Sequence, residues 1–228
     1  LPIFKFLAVA LTKAGSEKSK REPITLMHER GTPTGLEITG TATIGRAALA
    51  GVRGDLSLPE VRNVSEWKLF SKIGEAGVSW EEPGYGWTPK FCREVDMTKE
   101  RPKFLGRATP GALPLVEGRM VQAHRFGVKG HVSGTGRRAL WEAYAIGDSR
   151  LAPQFWIRLS DMPSANQHRA DVLRVGFCDI AGQTNERSLM ASLIPAGVVC
   201  GNKVPTILFP EDPSEERLLV WVSIANSF

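Results

Sequence analysis

Cysteine is scarce in this chain, with three residues, Cys92, Cys178 and Cys200, among 228. They are widely spaced, and no two of them form the Cys-x-x-Cys pair that is typical of zinc sites. So low a count also argues against the disulfide framework that stabilises small secreted domains. The sequence therefore predicts reduced thiols and a cytoplasmic protein.

Long apolar runs are missing as well. The longest, residues 6–11, is far shorter than the roughly 20 residues that a membrane-spanning helix needs. The first residues lack the basic start, long apolar core and small-residue cleavage site of a signal peptide. With 42% apolar and 23% charged residues the composition is that of an ordinary globular protein, so we expect a soluble chain without a membrane partner.

The sequence patterns of a self-contained enzyme are also absent. There is no Gly-x-Ser-x-Gly hydrolase motif, and Gly134-Thr135-Gly136 lacks both the third glycine of a dinucleotide turn and the Lys-Ser/Thr of a phosphate loop. The four histidines have no metal-ligand spacing, and Glu94 and Asp96 are interpreted as ordinary carboxylates in polar surroundings. These absences favour a binding module with no catalytic residues, metal or cofactor of its own.

Positive charge, by contrast, is concentrated in one part of the chain. The formal net charge is +5, but residues 90–138 contain eleven Lys or Arg and only four Asp or Glu, so this segment alone carries +7. Each cation that neutralises a phosphate releases condensed counterion, so a clustered patch favours nucleic acid as a partner. The same charge is compatible with a solvated surface of a basic protein.

Apolar and turn residues predict an α+β chain whose second half is mostly strand. Residues 1–28 are expected to form a hairpin of two strands, and residues 31–54 a loop with one short helix. A helix is predicted over residues 58–73, where Pro59 suits the first turn and Gly74 the end. Further predicted elements are strands at 113–122, 154–159, 173–180, 188–194 and 206–209 and a closing helix at 217–228.

Three stretches, taken in order, carry a resemblance. They are residues 91–98 with Asp96-Met97-Thr98, residues 113–122 with Pro114-Leu115-Val116-Glu117-Gly118-Arg119-Met120, and residues 174–195 with Thr184-Asn185-Glu186-Arg187 and Ile194-Pro195. Together with Asn226-Ser227-Phe228 they resemble the target-recognition region that follows the catalytic domain in large adenine-specific DNA methyltransferases. Such enzymes belong to type IIG and related restriction-modification or phage-defence systems. The chain departs from the family pattern at Asp179, where an arginine often stands, and at Ser188, where threonine is usual.

The resemblance implies how the chain is divided. Residues 1–55 are expected to end a methyltransferase-type domain with the terminal hairpin of its sheet, and residues 56–89 to form a helical connector. Residues 90–228 are expected to form a mostly β target-recognition domain with short helices, truncated at its C-terminus. The chain would then be a piece of a larger protein.

Two family motifs are missing from this chain. These are the Asn-Pro-Pro-Tyr box that grips the flipped adenine and the Gly-rich turn that binds S-adenosylmethionine. In the family both lie upstream, so S-adenosylmethionine and methyl transfer are expected in the upstream methyltransferase domain of the same polypeptide. Whether the present chain is itself part of an enzyme stays open on these residues alone.

Double-stranded DNA is the partner that the resemblance implies, with basic side chains on phosphates and other polar side chains on base edges. The candidate DNA-binding residues follow the Glu-Gly-Arg-Met segment into a Gly-rich loop or lie in a second turn: Arg119, His124, Arg125, Lys129, Arg137, Arg138, Asn202 and Lys203. Structural roles are expected for the motif residues Asp96, Glu117, Asn185, Glu186 and Arg187.

A second hypothesis comes from another class of protein. The basic segment could dock an acidic protein partner, such as another subunit of a defence complex, and the chain would then be a structural or interaction module. The two hypotheses differ in duplex binding and in its salt dependence, because only contacts with phosphates release condensed counterions.

Overall fold

The computed structural model describes residues 23–32, 35–77, 87–148, 150–180, 187 and 189–227, and the side chains of these residues except 28–39 and 137. The chain divides into two compact units, Leu1–Ser79 and Trp80–Phe228. Among the described residues strands outnumber helices, and the strands form several small sheets. The predicted α+β class is therefore confirmed.

The first unit is built on a hairpin of two long strands. β1, Ile24–Thr32, pairs antiparallel with β2, Gly35–Ile44, and two helices follow, α1 at Arg46–Val52 and α2 at Val64–Ala76. Ala42 and Ile44 alternate with exposed Thr41 and Thr43 on β2, and the two apolar side chains pack with Trp67 of α2.

Two predictions for this unit are wrong. Residues 35–44 form a strand and not a loop, because apolar and polar residues alternate there despite the glycines. Helix α2 begins at Val64, capped by the Asn63 side chain, which accepts a hydrogen bond from the Glu66 N–H (3.0 Å). It passes through Gly74, where a Cβ would lie 2.7 Å from Val52 Cγ1, so that glycine permits close packing of α1 on α2. The predicted strand in residues 1–12 lies outside the described residues.

In its described residues the second unit consists of short strands followed by one α-helix. Its strands are β3 at Lys90–Cys92, β4 at Ala112–Val116, β5 at Val121–Gln122, β6 at Arg125–Phe126, β7 at Lys129–Ser133, β8 at Leu140–Ala143, β9 at Phe155–Arg158, β10 at Arg174–Phe177, β11 at Ala191–Ile194, β12 at Val199–Cys200 and β13 at Thr206–Leu208. Helix α3 spans Glu215–Ala225. Among the described residues of this unit, 3₁₀ segments lie at Arg101–Lys103, Gly118–Met120, Gly136–Arg138, Leu159–Asp161 and Ser164–Asp171.

The described strands of this unit form two small sheets and two hairpins. One sheet has the order β11-β10-β13-β3 with antiparallel neighbours, and the other has the order β12-β4-β9 with β12 and β4 parallel. The hairpins are β5–β6 and β7–β8. Most predicted strands thus lie near observed ones, but the predicted strand at 113–122 is broken by the 3₁₀ turn Gly118–Met120.

Helix α3 covers one face of the four-stranded sheet. Its buried residues Leu218, Trp221 and Val222 join a core that includes Val175 of β10 and Ile207 of β13. The helix starts two residues earlier than predicted because the Ser214 hydroxyl caps it, accepting a hydrogen bond from the Arg217 N–H (3.4 Å).

A fully buried ion pair connects the two sheets. Arg174 of β10 donates from Nε to Glu94 Oε1 (2.5 Å) and from Nη2 to Glu94 Oε2 (3.0 Å), and neither side chain has exposed surface. The same carboxylate accepts hydrogen bonds from the Thr206 hydroxyl (2.9 Å) and the Cys200 N–H (2.8 Å). The interpretation of Glu94 as an ordinary carboxylate in polar surroundings is therefore wrong: it is the centre of a satisfied buried network.

Candidate nucleic-acid interface

The hairpin β7–β8 lies in the middle of the basic segment. Lys129 pairs with Ala143 and His131 with Trp141, and a bulge follows His131. The His131 and Trp141 rings meet edge to face with centroids 5.4 Å apart. These cross-strand contacts fix the register of the hairpin.

The loop that joins β7 to β8 is held to the body of the unit. The Gly134 carbonyl accepts hydrogen bonds from the buried Gln154 Nε2 (3.1 Å) and interacts with His131 Nε2 (2.8 Å). Gly134 has a φ of +75°, and a Cβ there would lie 2.6 Å from the Arg138 carbonyl oxygen. The Gly-rich sequence therefore builds a tight, anchored loop that contains Arg137 and exposes Arg138.

The structure brings five of the eight predicted DNA-binding residues to this hairpin. The Arg119 guanidinium lies over the Trp141 ring, 4.8 Å from its centroid, and the Arg125 Nη2 donates to the Tyr144 and Ala145 carbonyls (3.3 and 3.2 Å). The last three of these five residues are on the hairpin itself. They are half-buried Lys129 on β7, exposed Arg138 in the loop, and Arg137, whose backbone lies in the same 3₁₀ turn.

The other three predicted DNA-binding residues belong to other turns. His124 is exposed in the β5–β6 turn with a φ of +61°; its N–H donates to the Ala191 carbonyl (2.8 Å) and its Nδ1 lies 3.5 Å from Asn226 Nδ2. Asn202 is half-buried, and the Lys203 ammonium is 3.8 Å from Asp179 Oδ2.

The turn of Asn202 and Lys203 nevertheless packs close to Arg119. A Cβ on Gly118, the residue before Arg119, would lie 3.3 Å from the Lys203 carbonyl oxygen. Arg93 Nη2 also reaches Asp179, at 2.9 Å from Oδ1, so two cations share that one carboxylate. Asp179 thus lowers the net positive charge near this turn.

Two of the predicted structural residues have defined roles at turns or chain ends. Asp96 Oδ1 accepts hydrogen bonds from the Lys99 and Thr98 N–H groups (3.1 and 2.8 Å), and these bonds hold the pKa of Asp96 below its ordinary value. Arg187 donates to the Asn226 carbonyl. Asn185 and Glu186 lie outside the described residues.

Among the predicted structural residues that the structure describes, Glu117 has an unsatisfied atom. It is half-buried at the end of β4, and its Oε1 has no hydrogen-bond partner among the described residues. Burial raises the pKa of Glu117, and the charges of Arg119, His131 and Arg101 oppose that rise. The carboxyl thus lies beside the hairpin, in the positive field of the candidate interface.

Sequence reasoning missed the apolar part of this surface. Val132 and Leu140, which flank the basic loop, are 59% and 63% exposed. The sequence does contain a sign of this exposure. Large apolar residues next to a Gly-rich polar loop lie near the tip of a hairpin, where few neighbouring side chains can bury them.

Other possible site types find little support in the part of the chain that the structure describes. No cluster of three or more His, Cys, Asp or Glu there is arranged to hold a metal ion. None of the helices described is long and apolar enough to cross a membrane. A shallow surface depression is lined by Phe91, Cys92, Arg93, Phe177, Asp179 and Pro205.

The fold and this surface define an α+β protein with a basic β-hairpin held rigidly on a small-sheet core. Comparison with protein-family models, curated proteins and solved structures gives no match.

Proposed function

We propose that this chain binds duplex DNA as the target-recognition part of an adenine-specific DNA methyltransferase of a restriction-modification or phage-defence system. The observation that carries the proposal is the gathering of Arg119, Arg125, Lys129 and the Arg137–Arg138 loop around one hairpin. A two-stranded ribbon can enter either the major or the minor groove of B-DNA.

The cations of the hairpin divide into two groups by their contacts. Arg125 is half-buried and bonded to two carbonyls, so it orients the end of β8 and adds positive potential. Arg138 is exposed and makes no ion pair with a described side chain, so its guanidinium is available for a phosphate or a guanine edge. The Arg119 guanidinium is stacked on Trp141, which fixes its position beside the hairpin.

In this proposal the chain selects the adenine and another part of the polypeptide modifies it. Enzymes that act on a base rotate it out of the duplex into a catalytic pocket, so a separate surface has to grip the surrounding groove. S-adenosylmethionine and the methyl transfer are assigned to the catalytic domain that the resemblance places upstream.

Charge reversal in the loop tests the proposal. Arg137→Glu with Arg138→Glu is compared with Lys68→Glu and Lys72→Glu, an equal change of charge on exposed positions of α2 in the other unit. Duplexes from a random-sequence library are titrated at several salt concentrations. We expect the loop variant to bind more weakly and its plot of log K against log salt to be shallower by about 2, since each phosphate contact contributes about 0.9 to the slope.

The α2 variant should bind like the unaltered chain. Absence of duplex binding, binding insensitive to salt, or equal losses in the two variants would each contradict the proposal. Undetectable duplex binding, with a charge-dependent complex formed on a purified acidic polypeptide, would favour the protein-interaction hypothesis.

A further inference from the structure

The end of the β7–β8 hairpin carries an apolar pair next to its basic loop. Val132 of β7 is 59% exposed and Leu140 of β8 is 63% exposed. In the strand register His131 pairs with Trp141 and Ser133 with Leu140, so Val132 lies in the bulge between these two pairs. One apolar side chain therefore comes from each strand at the same end of the hairpin.

The strand pleat separates this apolar pair from the packed face of the hairpin. Trp141 contacts Arg119 and His131, and successive residues of a strand point to opposite faces, so Leu140 lies on the face opposite Trp141. Between Val132 and Trp141 there is no Asp or Glu, whereas Arg137 and Arg138 lie within that stretch. Glu142, two residues beyond Leu140 on β8, is exposed on the same face, so the positive charge lies only on the loop side of the apolar pair.

The pair is also held in a fixed position. Gln154 and His131 both contact the Gly134 carbonyl in the loop, and the His131 N–H donates to the Ala152 carbonyl (2.7 Å). Because these contacts order the hairpin before any ligand arrives, binding there costs less conformational entropy.

We propose that Val132 and Leu140 form an apolar wedge that enters duplex DNA between two adjacent base pairs and bends the duplex. This inference rests on the proposed function, since the positive loop must first bring the hairpin onto the phosphates. Apolar side chains inserted at a base step unstack it and kink the duplex by roughly 20–90°. Flexible pyrimidine–purine steps are the expected point of entry.

A bending measurement on the full chain tests the wedge. The probe is a 30-bp duplex, recovered by selection with the unaltered chain from a random library, with fluorescent donor and acceptor dyes at its ends. Val132→Ala with Leu140→Ala is compared with Leu219→Ala and Val220→Ala, which remove the same two side-chain types from exposed positions of α3 (51% and 46% exposed).

We expect energy transfer to rise when the unaltered chain or the α3 variant binds and to stay at the free-DNA value with the Val132/Leu140 variant. Affinity of that variant should fall about tenfold or less, because the phosphate contacts remain. Leu140→Gln, which keeps the length of the side chain but makes it polar, should also reduce the bend. Circular dichroism checks that each variant is folded.

Two results would overturn the wedge while leaving the proposed function intact. One is binding by the unaltered chain with no rise in energy transfer. The other is an undiminished rise with the Val132/Leu140 variant. If selection recovers no duplex at all, the proposed function fails and the wedge fails with it.

Discussion

Arg174 and Glu94 show at the scale of single residues how this protein keeps two charges out of water. Arg174 donates to both carboxylate oxygens of Glu94 and also to the Val198 carbonyl (2.9 Å) and the Pro195 carbonyl (3.2 Å). Removal of one partner leaves the other charge buried and unpaired, which costs far more than the net stabilisation that the pair provides.

We predict that Arg174→Leu lowers the free energy of unfolding by about 3–5 kcal/mol, measured by urea denaturation. Arg158→Leu, at an exposed position of β9, is the control and should change it by less than about 0.5 kcal/mol. The double variant Glu94→Leu with Arg174→Leu should recover part of the loss. Equal stability of the Arg174 and Arg158 variants would contradict the central role of the ion pair.

Glu117 makes stability depend on pH in the opposite sense from a paired carboxylate. Burial raises its pKa in the folded state above the ordinary value of 4.5. The stabilisation linked to Glu117 is therefore fully present below the pKa that Glu117 has in the unfolded chain. It is lost as the pH rises through the pKa of Glu117 in the folded state. Glu117→Gln should therefore leave stability unchanged near pH 4 and increase it at pH 7, as measured by urea denaturation at both values. Glu142→Gln, at an exposed position of β8, is the matched control. A Glu117→Gln gain that is equal at both pH values would refute this assignment.

Cys200 is shielded from reagents, unlike the other two cysteines. It has no exposed surface, and burial raises the pKa of its thiol; Cys92 and Cys178 are only half-buried. Because the thiolate is the reactive form, Cys200 should react with a thiol reagent only after unfolding. Mass spectrometry of the native chain labelled with iodoacetamide should then find label on Cys92 or Cys178 before Cys200. Early label on Cys200 would contradict its buried position.

At the scale of elements, helix α3 packs on the sheet through its apolar face, and the residue that follows the helix, Asn226, adds hydrogen bonds to β11. Asn226 Nδ2 donates to the Ala191 carbonyl (2.8 Å), and its Oδ1 accepts from the Ala191 N–H (2.9 Å). The side-chain amide of Asn226 thus makes with β11 the pair of hydrogen bonds that a neighbouring strand would make.

Asn226→Ala should destabilise the protein by about 1–3 kcal/mol, because the buried Ala191 N–H loses its acceptor, while the Ala191 carbonyl keeps the hydrogen bond from the His124 N–H. Hydrogen exchange at the Ala191 amide should also be faster in this variant than in the unaltered chain. Ser223→Ala, on the exposed side of α3, should do neither. Unchanged exchange at Ala191 in the Asn226 variant would show that the helix is held by its apolar face alone.

Elements rich in apolar residues were predictable from the sequence. Strands β9, β10, β11 and β13 and helix α3 all fall within two or three residues of predicted positions. Strand β2 was not recognised because Gly35 and Gly40 interrupt it, although the alternation around Ala42 and Ile44 carries the strand signal.

The candidate site was predictable only in part. Local order along the chain identified the loop of Arg137 and Arg138, since glycines and arginines adjacent in sequence are adjacent in space. It could not identify the setting of Glu94, whose partner Arg174 is 80 positions away, or the stacking of Arg119 on Trp141, which depends on how the hairpin folds back. Contacts between residues so far apart along the chain produce no periodic pattern of apolar and polar residues in the sequence.

At the scale of the whole molecule, the chain consists of two compact units, and the buried ion pair belongs to the second. Units with separate cores open separately. We predict that Arg174→Leu accelerates amide exchange within Trp80–Phe228 and leaves the β2 amides of Ala42 and Ile44 unchanged. Hydrogen exchange read by mass spectrometry measures both units in one sample. Equal acceleration in the two would mean that they unfold as one.

The Glu94 network also has a consequence during synthesis on the ribosome. Glu94 is made 80 residues before Arg174 and 112 residues before Thr206, both of which it must meet. At about 5–20 residues per second, Thr206 follows Glu94 by roughly 6–22 s. During that interval the Glu94 carboxylate stays in water, and the strands that later surround it lack the buried ion pair. The second unit therefore completes its fold only when nearly all of the described chain has been translated, and a nascent chain halted before Arg174 should remain open to proteases.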